Sequence, residues 1–318
     1  MQKVDAHSPP ETCRLITQSG LAKAALTWPD LILKSFIGGI FISMGALFDL
    51  IIAGGAIGVR ANNPSLATLL SGLVFPIGFA MLTVTNVELA TSNMFVMVYT
   101  LLQRRTTFYD LGRNWVVSYV GNLAGCLFFA GFLTWWTNSL STDAEQSYAA
   151  SGAASRVNQQ WSVNFLRGVG CNWLVAMAVF FATAAKDGVS KIYGIWIPVT
   201  AFCVMGYQHC IANFFLVPVG MFYGADVSVG KYIYQSVIPV TLGNILGGVV
   251  FGGFVFWWLY GRDEQKAAQT GQPLSGEHEN NNFPVTASGE TLDAGVPRHD
   301  AESDLTRRGE SRKGDEMV

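Results

Sequence analysis

Between residues 30 and 260 the chain holds one histidine, His209, inside a 34-residue stretch, Ile192 to Ala225, that carries no Lys, Arg, Asp or Glu. Imidazole is the side chain whose charge ordinarily changes near neutral pH, and its two ring nitrogens can donate and accept at once. An ionisable group in so apolar a setting is functional by default; the plain alternative is a hydrogen-bonded residue wedged between helices. A hydroxyl that could meet it is Thr91, in the string Glu88-Leu-Ala-Thr-Ser-Asn93, which returns 120 residues later as Gln208-His-Cys-Ile-Ala-Asn213. A Thr91–His209 contact would fix the ring and let it offer one N–H to an anion. Glu88 has no Lys or Arg near it in sequence; a structural role, accepting from loop N–H groups, stands beside a role in transport. Asp49 reads as a boundary or helix-contact residue. No Gly-rich phosphate loop, paired-His metal motif or Ser/His/Asp set occurs in a plausible context, so neither an enzyme, a metal site nor a cofactor is expected.

The elements that must hold these residues follow from composition. Half of the 318 residues are apolar and 13% are charged, against about a quarter charged in ordinary soluble domains. About 20 apolar residues span the hydrocarbon of a bilayer as helix. Six segments are long enough: 31–55, 67–102, 114–140, 161–185, 192–225 and 233–260. The chain therefore reads as an all-α membrane protein with six passes across a lipid bilayer. Residues 1–29 form an N-terminal segment without the pattern of a signal peptide, 30–261 the transmembrane body, and 262–318 a polar tail expected to be disordered. The connector from Ser139 to Gln160 is the longest and is expected to lie over one vestibule. Lys and Arg gather in the loops around Arg104, Arg105, Arg113, Lys186 and Lys191, which places both termini in the cytosol, with the plasma membrane as the expected site. The net charge of −2 speaks against a nucleic-acid partner. Five cysteines without framework spacing read as packing residues.

A second pair of strings recurs: Gly121-Asn-Leu-Ala-Gly125 and, 122 residues on, Gly243-Asn-Ile-Leu-Gly-Gly248. Two matched pairs in the same order indicate a duplication of three passes each. Three is odd, so the halves insert upside down relative to one another. Inverted repeats put a site near the midplane between interrupted helices. Passes two and five are longer than one crossing needs and carry Glu88 with Asn93, and Gln208 with Asn213, in their interiors. Broken there, their half-helix N-termini would present partial positive charge to the centre, which favours anions. The glycines are expected to serve close helix packing; Asn122 and Asn244 need partners across helices or at the breaks.

These strings, together with Phe75-Pro-Ile-Gly78, Cys171-Asn-Trp-Leu-Val-Ala-Met-Ala178 and Ile238-Pro-Val-Thr-Leu-Gly-Asn244, resemble the formate/nitrite transporter family over roughly residues 30–260, most of all its fungal nitrite-transporter branch. The resemblance implies an aquaporin-like protomer with its own pore, assembled as a homopentamer. It assigns His209 as the central histidine, Thr91 as the loop threonine and Asn172 as the asparagine of pass four. Apolar constrictions fall on Phe75 and Phe202 outside and on Phe79 and Leu89 inside, and the vestibule lysine falls on Arg156. Gln208 stands where bacterial formate channels usually carry an acid. The implied substrates are small monovalent weak-acid anions, nitrite foremost, passing with protons; an aquaporin-like channel for neutral solutes is the alternative.

Overall fold

The computed structural model describes residues 6–262. The tail expected over 262–318 lies, past Arg262, outside the described residues. Among the described residues eleven helices follow one another: α1 (Pro9–Ala24), α2 (Trp28–Gly55), α3 (Ile57–Asn62), α4 (Pro64–Val84), α5 (Ala90–Leu102), α6 (Phe108–Trp135), α7 (Asp143–Val157), α8 (Trp161–Ala184), α9 (Gly188–Val204), α10 (Cys210–Phe222) and α11 (Val229–Gly261). Five of them, α2, α4, α6, α8 and α11, are long and apolar enough to cross a membrane. At 28 residues, α2 rises about 42 Å, more than the ~30 Å of hydrocarbon. The segments at 67–102 and 192–225 are not continuous helices. Each divides in two, after Val84 and after Val204.

The two divisions are built alike. The chain turns through a positive φ at Asn86 (+53°) and at Gly206 (+67°), 120 residues apart. Glycine and asparagine are the residues that enter that region most readily. Val87 N–H then donates to Leu82 O, as Tyr207 N–H does to Phe202 O. Three residues on, α5 and α10 begin.

Small residues bring the long helices together. A Cβ on Gly125 of α6 would lie 2.0 Å from the carbonyl oxygen of Phe36 on α2, and one on its counterpart Gly247 of α11 would lie 2.3 Å from that of Val169 on α8. Only glycine permits those approaches, and the matched strings therefore mark two equivalent helix crossings.

Two stretches expected as connecting or terminal segments are ordered helix. The region from Ser139 to Gln160 contains α7, started by a capping box in which Thr142 and Glu145 satisfy each other's backbone N–H groups. Its alanines at 149 and 153 are buried against α10, where Gly220 leaves room. Ahead of the first pass, α1 buries Cys13, Ile16 and Gly20 on one stripe and packs against α5 and α8. The cysteines are free, and all but half-buried Cys203 are buried.

Candidate functional site

The two breaks are held by the two matched asparagines. Asn122 accepts from Ala90 N–H at 2.9 Å and donates to Ser35 O (2.7 Å) and Glu88 O (2.9 Å). Asn244 accepts from Cys210 N–H at 2.9 Å and donates to Gly168 O (2.9 Å) and Gln208 O (3.0 Å). Each therefore ties the first amide of a half-helix, the carbonyl of its break and a carbonyl of a neighbouring long helix. A backbone interrupted at membrane depth requires such internal partners. Asn93 and Asn213 work inside the breaks: each donates its amide to the residue five positions earlier, Glu88 at 2.7 Å and Gln208 at 3.0 Å.

With the half-helices so placed, α5 and α10 start beside one another, and residues from both meet. His209 is the cap of α10, its Nδ1 accepting from Ala212 N–H at 3.0 Å. Because that nitrogen accepts, the proton of the neutral ring resides on Nε2. Nε2 lies 2.9 Å from Thr91 Oγ1 in the first turn of α5. The N–H that sequence reasoning offered to an anion is thus directed to Thr91. Asn172 on α8 donates to Thr91 O (3.2 Å) and Asn244 O (2.7 Å), bracing the threonine against α11.

A cavity of about 210 Å³ opens over His209. Its lining includes Gln208 and Asn213 from the second break, Arg156 and Tyr148 from α7, Asp49 from α2, and the rings of Phe75 and Phe202. Those rings meet edge to face with centroids 5.8 Å apart, and Phe202 stacks on the imidazole at 5.9 Å. A second cavity of about 480 Å³ is lined by Lys23 of α1, Val87 of the first break, Ser92 of α5 and Lys191 of α9. His209 lines the first cavity, and Ser92, the neighbour of Thr91, lines the second. Phe79 and Leu89 line neither cavity; both are fully buried in the core beside the contact.

Glu88 departs from its expectation. Its carboxylate does not accept from loop N–H groups but from side chains: Lys23 Nζ at 2.7 Å, Asn93 Nδ2 at 2.7 Å and Asn114 Nδ2 at 3.3 Å. A cation does therefore reach the first break, from 65 residues upstream. Sequence proximity could not reveal it, because α1 folds back on the body. The available signal was a stripe on α1, Cys13, Ile16, Gly20 and Lys23, at helical spacing. The second break has no matching ion pair; neutral Gln208 takes the acid's place. Asp49 and Tyr148, which sequence reasoning did not place at the site, both line the His209 cavity.

Comparison with known proteins follows the same boundaries. A family model described as formate/nitrite transporter matches residues 10–258. A probable formate transporter of Methanothermobacter thermautotrophicus is 37% identical over 268 residues, which cover 80% of this chain and 97% of that protein. Among solved structures, one described as an FNT family ion channel superposes with a TM-score of 0.71 at 25% identity, covering 78% of this chain and 98% of that one. A pentameric formate channel with formate bound superposes with a TM-score of 0.64 at 28% identity, covering 72% and 96%.

Proposed function

The chain belongs to the formate/nitrite transporter family, and we propose that it carries small monovalent weak-acid anions across a bilayer by passing their neutral acids through the centre. As a multi-pass membrane protein of that family it is a transporter of small anions, not an enzyme. The finer reading rests chiefly on one observation: His209, bonded to Thr91, lines one cavity together with the rings of Phe75 and Phe202, a second cavity reaches Ser92 next to Thr91, and Phe79 and Leu89 are buried in the surrounding apolar core. A bare anion among such groups pays a desolvation cost of tens of kcal/mol. Protonating it costs about 1.4 kcal/mol for each pH unit above the acid's pKa. For an acid only a few units below ambient pH, protonation is the cheaper route. Arg156 draws the anion into its cavity by its field, and the Thr91 hydroxyl, which accepts from His209 Nε2–H, keeps its own O–H for the passing acid.

Formate is the first substrate to test, because relatives carry it in their names; nitrite, a weak acid of the same size and charge, shares the mechanism. The matched breaks and glycine crossings support six passes in two inverted halves of aquaporin-like design, with α4–α5 and α9–α10 as the broken passes. Five copies form the assembly in this reading, as in the formate channel, at the plasma membrane with both termini in the cytosol.

The test is initial uptake of formate, nitrite and nitrate into proteoliposomes between about pH 5 and 8 outside. Formate and nitrite uptake rises as pH falls, by up to about tenfold per unit if the neutral form limits flux, and nitrate, the anion of a strong acid, passes poorly throughout. A rate independent of pH that follows membrane voltage would mean that the anion itself permeates.

A further inference from the structure

Passage as a neutral acid needs a proton delivered where the anion leaves water, and most groups around the His209 cavity are poorly suited to give one. His209 holds its single proton toward Thr91, and its other nitrogen is occupied by the Ala212 amide. Arg156 contributes a guanidinium, which serves as a fixed cation and not as an acid. Tyr148, Tyr207 and Cys203 also line the cavity, but phenols and thiols are much weaker acids than carboxyl groups. The one carboxyl group among the lining residues is Asp49. It sits on α2, where the hydroxyl of Ser71 on α4 donates to its Oδ1. Asp49 bonds to Ser71 rather than to Arg156, whose Nη1 donates to Gly152 O at 3.0 Å within its own helix. The cavity thus places a carboxyl and a guanidinium on its wall without pairing them.

We propose that Asp49 is the proton donor of this cavity, deepening the weak-acid reading above and resting on it. An anion held by Arg156 takes the proton from the Asp49 carboxyl: the O–H bond on aspartate breaks and an O–H bond forms on the substrate. The neutral acid moves on past Phe75 and Phe202. The carboxylate left behind, with Ser71 still donating to it, is reprotonated by hydronium from the water at the cavity mouth. One proton and one anion cross together. Ionised Asp49 also repels an arriving anion, so loading favours the protonated state of the residue. The charged and titratable groups that share the cavity with Asp49 or act on it are Arg156 and Tyr148 from α7, Arg60 from α3, Cys203 from α9 and, at the helix break, Tyr207 and His209; Glu145 of α7 packs against Gly54, further along α2. Arg60 is engaged with Ala53 O and with the Tyr148 ring, and Glu145 with the start of α7.

A purely structural Asp49, tying α2 to α4 through Ser71, would tolerate asparagine, whose amide oxygen can accept the same bond. The experiment is formate uptake by full-length protein in proteoliposomes between pH 5 and 8, for wild type, Asp49→Asn, Asp49→Glu and Ser71→Ala. Asp49→Asn lowers the maximal rate at least tenfold at pH 7–8 and lowers KM, because a negative charge facing Arg156 is gone. The deficit narrows toward pH 5, where water supplies the neutral acid directly. Asp49→Glu restores much of the rate, and Ser71→Ala, which removes the tie and keeps the acid, retains the wild-type shape of the pH profile. Asp49→Asn uptake within twofold of wild type at every pH overturns the proposal, as does a loss that is equal at all pH values and not restored by glutamate. A pH-independent wild-type rate would instead sink the weak-acid reading itself and this role with it.

Discussion

Lys23→Met removes the cation from a carboxylate that is 1% exposed, leaving Glu88 with two asparagine donors. At 2.7 Å and an effective dielectric near 20, the pair attracts by about 6 kcal/mol before desolvation is subtracted. The lysine side chain is itself only 11% exposed, so solvent does little to screen the charge left behind. Breaking one side of such a buried pair costs about 3–5 kcal/mol, roughly 6–20 °C in the unfolding midpoint for a body of this size. The second break supplies the control, because there an amide, Gln208, accepts from Asn213 at 3.0 Å with no cation bonded to it. Adding Glu88→Gln to Lys23→Met copies that arrangement and recovers most of the loss, to within about 1–2 kcal/mol of the parent. The assay is the thermal midpoint of detergent-solubilised protein for both single variants and the double, with formate uptake alongside. A Lys23→Met shift below about 1 kcal/mol, or a double variant no more stable than Lys23→Met, would refute the argument that a buried uncompensated charge is what the lysine prevents.

Asn244→Leu removes the side-chain partner of Cys210 N–H and of the carbonyls of Gly168 and Gln208, and at about 1–3 kcal/mol for each buried group left unpaired it destabilises the protein by about 3–9 kcal/mol in the same thermal assay; Asn122→Leu matches it. Phe202→Ala opens the aromatic wall beside His209, so nitrate leak into proteoliposomes rises while the pH dependence of formate uptake weakens. Arg156→Ala raises the KM for formate several-fold at low ionic strength and less at 0.5 M salt, because the field it supplies is screened there; an effect unchanged by salt would point to direct contact instead.

Composition and spacing alone determined a great deal of this protein. Charge-free runs can only be membrane helices, because a backbone in hydrocarbon must bond within itself. Repeated strings showed where two halves correspond, and within them Asn122, Asn244, Thr91 and His209 stood out as polar residues that needed partners. Glycine's role at Gly125 and Gly247 was legible for the same reason: small residues at matched positions have one common use in such helices. The tertiary structure alone decided who the partners are. Lys23 and Glu88 meet across 65 residues, Thr91 and His209 across 118, and Asp49 joins Arg156 and His209 around one cavity. Sequence periodicity describes a helix's own faces and carries no record of which other helix each face will meet. The same limit hid α7, a helix too polar to resemble a pass, and the tautomer of His209, which is set by one amide, Ala212 N–H, that only the geometry of the half-helix start brings to Nδ1.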